Sequence, residues 1–589
     1  MATYEKICAA EAAPYMGRSR MQFYIDPNQQ VVDLMNTFVQ ISLVPTWTAA
    51  AAGNLAGDVP ACYMKGGSAS LIRSIDLQTR SGTLLERVDY PNVLTCALQE
   101  MVINGRKEAS MSVVEGLGRD CKDGYQFLTP YVGAVGSTSA VKACNMRLKL
   151  STILGLFQIS EFPIGYTDGL HVSIILENGP NVISQYVVGN PTPFADFADQ
   201  SAGQTSVLVS AGKVYPAIDY YRRADSDNYK IGDHLMVLST ATAGGAAVRS
   251  YCRVIAVSMN DYGIYSITVA WYTAAGVAAN GPAAQSNVVV VRAEYQCDAH
   301  AAPGAGVAHT VLTVLGMTPA NSIYYVGEPI TIAYNLVGGA ALSLNATITG
   351  IAANAANLDI TFTPGIPDNA GGGGAGVGIA AGAVIYGRLM AGGFDFRIDN
   401  AYLRLKRTIP TDMVAHASRY SKGFQLPIKS YDSFRESFPA TQRINTRIQT
   451  PVDLHNALAI LSIPVLNSGG AGYDANIRGN RDFYTSYRWT VDNESSPLQP
   501  IECVKKWPAV HWNIVGSCLR QLNLLLTKTS PFSWVFPKPL GIQFSSTPIA
   551  GKNVNLEILG SQNFDQMTFN HFVLSSKTAI CHGGMLVVE

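Results

Sequence analysis

Charged side chains are scarce in this sequence. Asp, Glu, Lys and Arg make up 14% of its 589 residues, against roughly 25% in an average soluble protein. The two signs balance at 42 each, so the formal charge is zero. A basic footprint is therefore missing, which argues against sequence-specific nucleic-acid binding as the main task. A near-neutral surface instead suits close packing against copies of itself. No stretch approaches the ~18–20 uncharged apolar residues that span a bilayer. The opening MATYEKICAAEAAPYMGRSRMQF has acidic residues and no apolar run, unlike a secretory signal. The expectation is a soluble chain made in the cell interior, where the glycosylation sequons at Asn345 and Asn493 read as chance matches.

Clustered chemistry is missing too. The ten cysteines (Cys8, Cys62, Cys96, Cys121, Cys144, Cys252, Cys297, Cys503, Cys518 and Cys581) are scattered, and none forms a CxxC pair. Buried free thiols in a reducing compartment are the main reading, with zinc or a disulfide framework as the alternative. The nine histidines (His171, His234, His300, His309, His416, His455, His511, His571 and His582) show no HxH or HxxxH spacing, so no local metal site is expected. There is no phosphate-loop motif and no GxSxG elbow. Gly371, Gly373 and Gly376 satisfy GxGxxG only inside a polyglycine run, without the strand, helix and acidic residue a dinucleotide site needs. Cys581 and His582 are adjacent, and adjacent strand residues face opposite ways, so they do not cooperate directly. The acid pairs Asp395/Asp399 and Asp432/Glu436 are indistinguishable from solvated faces. No catalytic, cofactor-binding or metal-binding residue is assigned, no cofactor is expected, and the chain is not read as an enzyme.

Short β-branched and aromatic runs bounded by Gly, Pro, Asn and Asp dominate what is there, the signature of an all-β chain. In LHVSIIL, Val172, Ile174 and Leu176 share one face, while His171, Ser173 and Ile175 share the other. FYTSYRW puts Phe483, Thr485, Tyr487 and Trp489 on one face, as a core or interface strand would. Helices are expected only around Tyr90 to Val102 and from Pro451 to Leu461, where the proline suits a first turn. RLKR (Arg404 to Arg407) with Arg435, Arg443 and Arg447 is the nearest thing to a cationic patch. It reads as solvated faces or inter-subunit salt bridges.

A tandem repeat occupies the middle. YKIGDHLMVL (Tyr229 to Leu238) aligns with YVGEPITIAY (Tyr325 to Tyr334), placing Gly232-Asp233 over Gly327-Glu328. GGAA recurs at Gly244 and Gly338, and CRVIAVSMNDYGIYSITV parallels ATITGIAANAANLDITF, all near one offset. Two β-modules, or two halves of one, follow, at about 229–271 and 324–363. The expected organisation is an arm at 1–20, a first sandwich at 21–195, an inserted module tower at 196–388 and a second sandwich at 389–589.

These residues add up to a family resemblance. FYIDPNQQVVDLMNTFVQISLV (Phe23 to Val44) and SLIRSIDLQTRSGTLLERVDYPNVLTCAL (Ser70 to Leu98) resemble the opening of a double jelly-roll major capsid protein. ILGLFQ and FPIGYTDGLHVSIILE, within Ile153 to Glu177, are similar to the segment closing that family's first roll. FRIDNAYLRLKRTIPTDMV (Phe396 to Val414), the stretch from Lys429 to Leu461, and YRWTVDNESSPLQPI (Tyr487 to Ile501) resemble its second roll. The likeness is to the capsid proteins of Polinton-like viruses and virophages. It implies two tandem jelly rolls, and a homotrimer forming a pseudo-hexagonal capsomer. Such capsomers would tile an icosahedral virion shell of a double-stranded DNA virus. It further implies contacts with a penton protein and minor capsid proteins, and leaves room for an inner membrane. Residues 1–20 would form an inward arm. A multi-sandwich spike or adhesin is the competing reading, followed by an enzyme built on β-sandwiches.

Overall fold

The computed structural model describes residues 2–28, 31–49, 55, 58, 62–64, 67–102, 131–132, 144–185, 192–193, 200–209, 231–241, 247–259, 265–273, 277–292, 296–301, 307–319, 322, 324–337, 341–367, 378–388, 392–409, 412–449, 456–466, 484–492, 494–502, 509–524, 539–547, 549, 551–560 and 566–589. Seven strands of six residues or more open the chain: β1 (Ala2–Cys8), β2 (Arg20–Ile25), β3 (Val31–Ala49), β4 (Ile72–Thr79), β5 (Leu84–Asp89), β6 (Cys144–Lys149) and β7 (Leu170–Leu176). The two-residue period decides what each one buries. In β2, Met21, Phe23 and Ile25 are buried while Arg20, Gln22 and Tyr24 point away. Each such side chain contributes roughly 1.5–3 kcal/mol of burial. Val172, Ile174 and Leu176 of β7 are fully buried, as their alternation requires.

The chain then leaves this sandwich for twelve tower strands. The first six are β8 (Thr192–Pro193), β9 (Thr205–Val209), β10 (His234–Ala241), β11 (Ala247–Met259), β12 (Tyr265–Tyr272) and β13 (Gln285–Arg292). The second six are β14 (Gln296–Cys297), β15 (His309–Val314), β16 (Pro329–Asn335), β17 (Ala341–Asn354), β18 (Asn357–Ile366) and β19 (Ala383–Gly387). The first module is an open sheet of order β8-β13-β10-β11-β12-β9. The second runs β14-β19-β16-β17-β18-β15 and closes into a barrel through β14 and β15. The orders correspond strand for strand, so the sequence repeat is a duplicated fold.

Small features repeat as well. Gly232 and Gly327 both adopt positive φ, +99° and +91°, a conformation that favours glycine. Each donates its N–H across the hairpin, to the Val254 and Ile348 carbonyls respectively, at 2.7 Å. Both second strands bulge at the matching place, Val254/Ala256 and Ile348/Gly350. The two GGAA motifs fall largely outside the described residues.

After the tower comes β20 (Gly392–Thr408), and with it a correction to the expected boundaries. This strand pairs with β3 on one side and β1 on the other. The first sandwich therefore has two facing layers built on β1-β20-β3-β6 and β2-β7-β4-β5, the first extended by the two-residue strands Tyr15–Met16 beside β20 and Tyr131–Val132 beside β3. In chain order these are strands 1-8-3-6 and 2-7-4-5, the order of a jelly roll. Phe394 to Lys406 completes the first roll rather than opening the second, and the tower interrupts roll one between its seventh and eighth strands. Residues 2–8, expected as part of a free arm, are that roll's first strand. Their signal is weak because β1 is an edge strand, with Ile7 packing against the core while Tyr4 and Lys6 lie exposed.

Roll two repeats the plan with β21 (Phe424–Phe438), β22 (Arg443–Gln449), β23 (Ala457–Leu466), β24 (Tyr484–Val491), β25 (Glu494–Glu502), β26 (Leu540–Thr547), β27 (Asn553–Gly560) and β28 (Met567–His582). Its layers are β21-β28-β23-β26 and β22-β27-β24-β25, again 1-8-3-6 and 2-7-4-5, with β29 (Met585–Val588) added beside β28. The protein is all-β, a double jelly roll. Helices are few among the described residues: α1 (Pro91–Val102), α2 (Met413–Tyr420), α3 (Ala509–Gln521) and a single turn at Gly179–Val182. α1 matches expectation, and α1 and α3 sit at the same place in their rolls, between the fifth and sixth strands. The helix expected over Pro451 to Leu461 is not formed where the chain is described. Residues 457–461 belong to β23, where every residue from Ala457 to Val465 is buried between two layers, so helical and strand periods look alike there. Residues 451–455 lie outside the described residues.

Candidate assembly surface

The two rolls meet head to tail. The last residues of β5, with the turn at Leu156–Gln158, pack on the outer face of the β21-β28-β23-β26 layer. On that layer Tyr431, Leu461, Ile463, Phe572 and Leu574 are buried in one cluster with the first roll's core. The Phe162 and Phe424 rings meet edge to face at 6.0 Å.

Glu86 is the polar pin of this joint. Its carboxylate is fully enclosed and accepts the N–H groups of Gly155 and Leu156, each at 2.7 Å, and the Ser430 hydroxyl at 2.8 Å. Burial pushes its pKa up, partly offset by those three donors. Nearby, Asp89 N–H donates to Ser433 Oγ at 2.9 Å, and the Cys581 thiol donates to the Tyr166 carbonyl at 3.2 Å. Gly155 leaves no room for a side chain: a Cβ there would collide with the Lys429 carbonyl, its carbon only 2.8 Å away. Gly155→Ala is therefore expected to destabilise the joint by about 1–3 kcal/mol, the usual cost of overpacking. Urea unfolding of wild type and variant checks it.

Among the described residues the corresponding layer of roll one has no such cover. Its outward side chains come in cross-strand rows: Lys6, Arg404, Phe38 and Lys149, then Cys8, Tyr402, Gln40 and Arg147. Lys6 lies 3.6 Å above the Tyr402 ring and Arg147 5.4 Å from the Phe38 ring. Lys406 pairs with Asp33 at 2.7 Å. Burial works against the Asp33 carboxylate, but the Lys406 and Asn36 hydrogen bonds outweigh it and hold its pKa below the ordinary value. This face is thus cationic and aromatic in a chain of zero net charge.

The RLKR segment lies on this layer. Arg407 is turned inward and pairs with Glu5, while Arg404 and Lys406 face out. The other arginines named from sequence act within the chain. Arg443 and Arg488 clasp Glu557, and Arg447 bonds Asn553. Arg435 lies 4.3 Å from the Tyr90 ring across the joint. The acid pairs are structural: Asp399 binds Arg397 at 2.6 Å, Asp395 accepts from the Phe396 N–H at 2.8 Å, Asp432 meets Lys577 at 3.1 Å and Glu436 accepts from Thr446. Cys581 is buried and its neighbour His582 exposed, on opposite sides of β28. Cys252, Cys297 and Cys518 are free and buried, with burial pushing Cys252 up and Cys297 and Cys518 up to about 12. Tyr487 and Trp489 fill roll two's core, while Phe483 and the glycines at 371, 373 and 376 lie outside the described residues. Among the described residues no three His, Cys, Asp or Glu side chains converge as a metal site. Glu86 escaped sequence reading because its partners lie 69 to 344 residues away, and of the cationic face only the RLKR segment was legible, because strand pairing alone brings Lys6, Arg147 and Lys149 beside it.

No family model and no curated protein matches the sequence. Among solved structures, the chain is similar to the Sputnik virophage structure, at 8% identity over 100% of this chain and 88% of that one, TM-score 0.41. It is also similar to the major capsid protein of Sulfolobus turreted icosahedral virus, at 8% identity over 98% and 96%, TM-score 0.33. A third similarity is to the mavirus major capsid protein, at 7% identity over 100% and 90%, TM-score 0.29.

Proposed function

We propose that the chain is the major capsid protein of a double-stranded DNA virus. It trimerises into pseudo-hexagonal capsomers that tile an icosahedral shell. The observation that carries this reading is the head-to-tail joint between two rolls of identical strand order. A head-to-tail contact uses two different patches, so repetition with rotation generates a ring. The first roll's β5 end covers the second roll's β21 layer. By the same operation, the second roll's β25 edge meets the first roll's β20 layer on the next copy. Six rolls, and hence three chains, close the ring.

Charge supports the pairing. The uncovered β20 layer carries Lys6, Arg147, Lys149 and Arg404, while the β25 edge begins beside the exposed carboxylates of Asp492 and Glu494. These contacts bury opposite charges at a rim, setting register and partner choice more than affinity. The chain then resides in the virion shell beside a penton protein and minor capsid proteins. Its function is structural rather than enzymatic.

Light scattering after size exclusion, with negative-stain images of the same peak, tests the reading. The expected species has three times the 63.0 kDa chain mass and a hexagonal outline. The double variant Arg404→Glu/Lys149→Glu is expected to run as monomer, as is Asp492→Lys/Glu494→Lys. Mixing the two variants should restore association through the opposite-charge contacts, with one like-charge contact left in any closed ring of three chains. A wild-type chain that stays monomeric at high concentration would overturn the capsid reading. Trimers indifferent to both variants would overturn the assigned faces alone.

A further inference from the structure

A cleft of about 500 Å³ opens at the joint between the rolls, within the size range of ligand sites. Three arginines line it: Arg73 and Arg87 from roll one, and Arg435 from roll two. Asp89 is the one acidic residue in the lining, and it is engaged by Arg87 at 3.3 Å. The Tyr90 ring sits between the other two guanidinium groups, 5.9 Å from Arg73 and 4.3 Å from Arg435. Two forked donors are thus held on one aromatic platform, an arrangement suited to carboxylates or phosphates.

The wall of the cleft carries a second feature. Asn570 is 1% exposed, yet neither its amide nitrogen nor its amide oxygen has a hydrogen-bond partner. Leaving such groups unmade costs about 1–3 kcal/mol each, so the site is built for something that supplies both an acceptor and a donor. Arg435 is the directly opposite cross-strand neighbour of Asn570, and its side chain is exposed. Further along the roll-one face, His171 Nε2 and Ser173 Oγ are also buried without a partner. Unmet hydrogen-bonding groups thus extend beyond a single anion's reach.

We propose that this cleft binds an acidic peptide segment in extended form. A backbone amide of the peptide pairs with Asn570, and flanking carboxylates engage Arg73 and Arg435. A peptide group offers the carbonyl and N–H that Asn570 lacks, whereas a fully ionised phosphate offers acceptors alone. The cleft lies within one chain, so its occupation does not depend on the trimer.

The test is fluorescence anisotropy with a blocked, fluorescein-labelled (Glu-Gly)4 peptide on the full chain. (Lys-Gly)4, inorganic phosphate and a single-stranded dT8 serve as rivals. The expected result is saturable binding of (Glu-Gly)4 that weakens about tenfold in Arg435→Gln, whose exposed side chain makes folding secure, and about tenfold in Asn570→Leu. Asn570→Leu should unfold at the same temperature as wild type or higher, because it removes an unmet amide. Absent binding, or binding unmoved by both substitutions, would overturn the proposal. So would preferential binding of dT8, or phosphate displacing the peptide with no dependence on Asn570. Failure here leaves the trimer test untouched.

Discussion

Asp58→Ala is expected to release the second tower module from roll one, at a cost of about 3–5 kcal/mol in local stability. Asp58 comes from the connection between the third and fourth strands of roll one. The tower fills the connection between the seventh and eighth. In an up-and-down alternation these two connections emerge at the same end of the sandwich, which is why they meet. The Asp58 carboxylate accepts from the Thr347 hydroxyl at 2.7 Å and pairs with the Arg388 guanidinium at 2.7 Å. Both side chains of the ion pair are buried, Asp58 to 1% and Arg388 to 8% exposure. Removing the acid takes the paired carboxylate away from a buried guanidinium, a loss that the low-dielectric site makes large. Hydrogen exchange in β16 and β19 is the readout, because those strands flank the anchor. Exchange there should rise by two orders of magnitude or more while β3 and β7 of the roll stay protected. The double replacement Asp58→Leu/Arg388→Met should recover much of the loss, since apolar pairs often substitute for buried ion pairs. Unchanged exchange in Asp58→Ala would show that the tower is held by its other contacts.

Alternation made the strands legible. Val172, Ile174 and Leu176 were assignable to the core from their spacing alone, as was the helix from Pro91. The repeat was legible because a hairpin needing positive φ at Gly232 and Gly327 leaves glycine in both copies. Pairing was not legible. FDFRIDNAYLRLK alternates as an outer strand of either roll would, and nothing local says that its partner is Val31–Ala49, on the far side of the tower. The chain around β1 shows the same limit from the other direction. Its polar pattern looks like an arm until β20 supplies Leu403 and Leu405 on the buried face. Glu86 illustrates why the joint was hidden: a carboxylate beside Arg87 in LLERVD reads as a solvated charge, and only the fold brings Gly155, Leu156 and Ser430 around it. The arginines named as a patch divide likewise by partner, Arg435 to the joint, Arg443 to Glu557 and Arg404 to the uncovered face.

Acid should loosen roll two from within, through His571. The ring is 1% exposed in the core of that roll. Its Nε2 lies 2.9 Å from Thr446 Oγ1 and its Nδ1 2.5 Å from Ser462 Oγ. Thr446 gives its hydroxyl proton to Glu436 at 2.6 Å, so Thr446 accepts from Nε2–H. Nδ1 is then left to accept from Ser462. The neutral ring is satisfied at both nitrogens, while a charged ring would sit in a site shielded from water. Burial accordingly drives the pKa down to about 3 from the ordinary 6.5. Below pH 6.5 the unfolded chain takes up a proton that the folded chain refuses, so stability falls as pH drops from 6.5 towards 3. Between pH 7 and pH 4 the loss from this group is about 3 kcal/mol. It should appear as faster hydrogen exchange in β23 and β28, whose strands hold Ser462 and His571. His571→Gln cannot titrate. It should be less stable than wild type at pH 7, having lost the fitted ring, yet show a flatter dependence on pH over the same window. Equal pH slopes for the two proteins would locate the acid sensitivity elsewhere and leave His571 a packing residue alone.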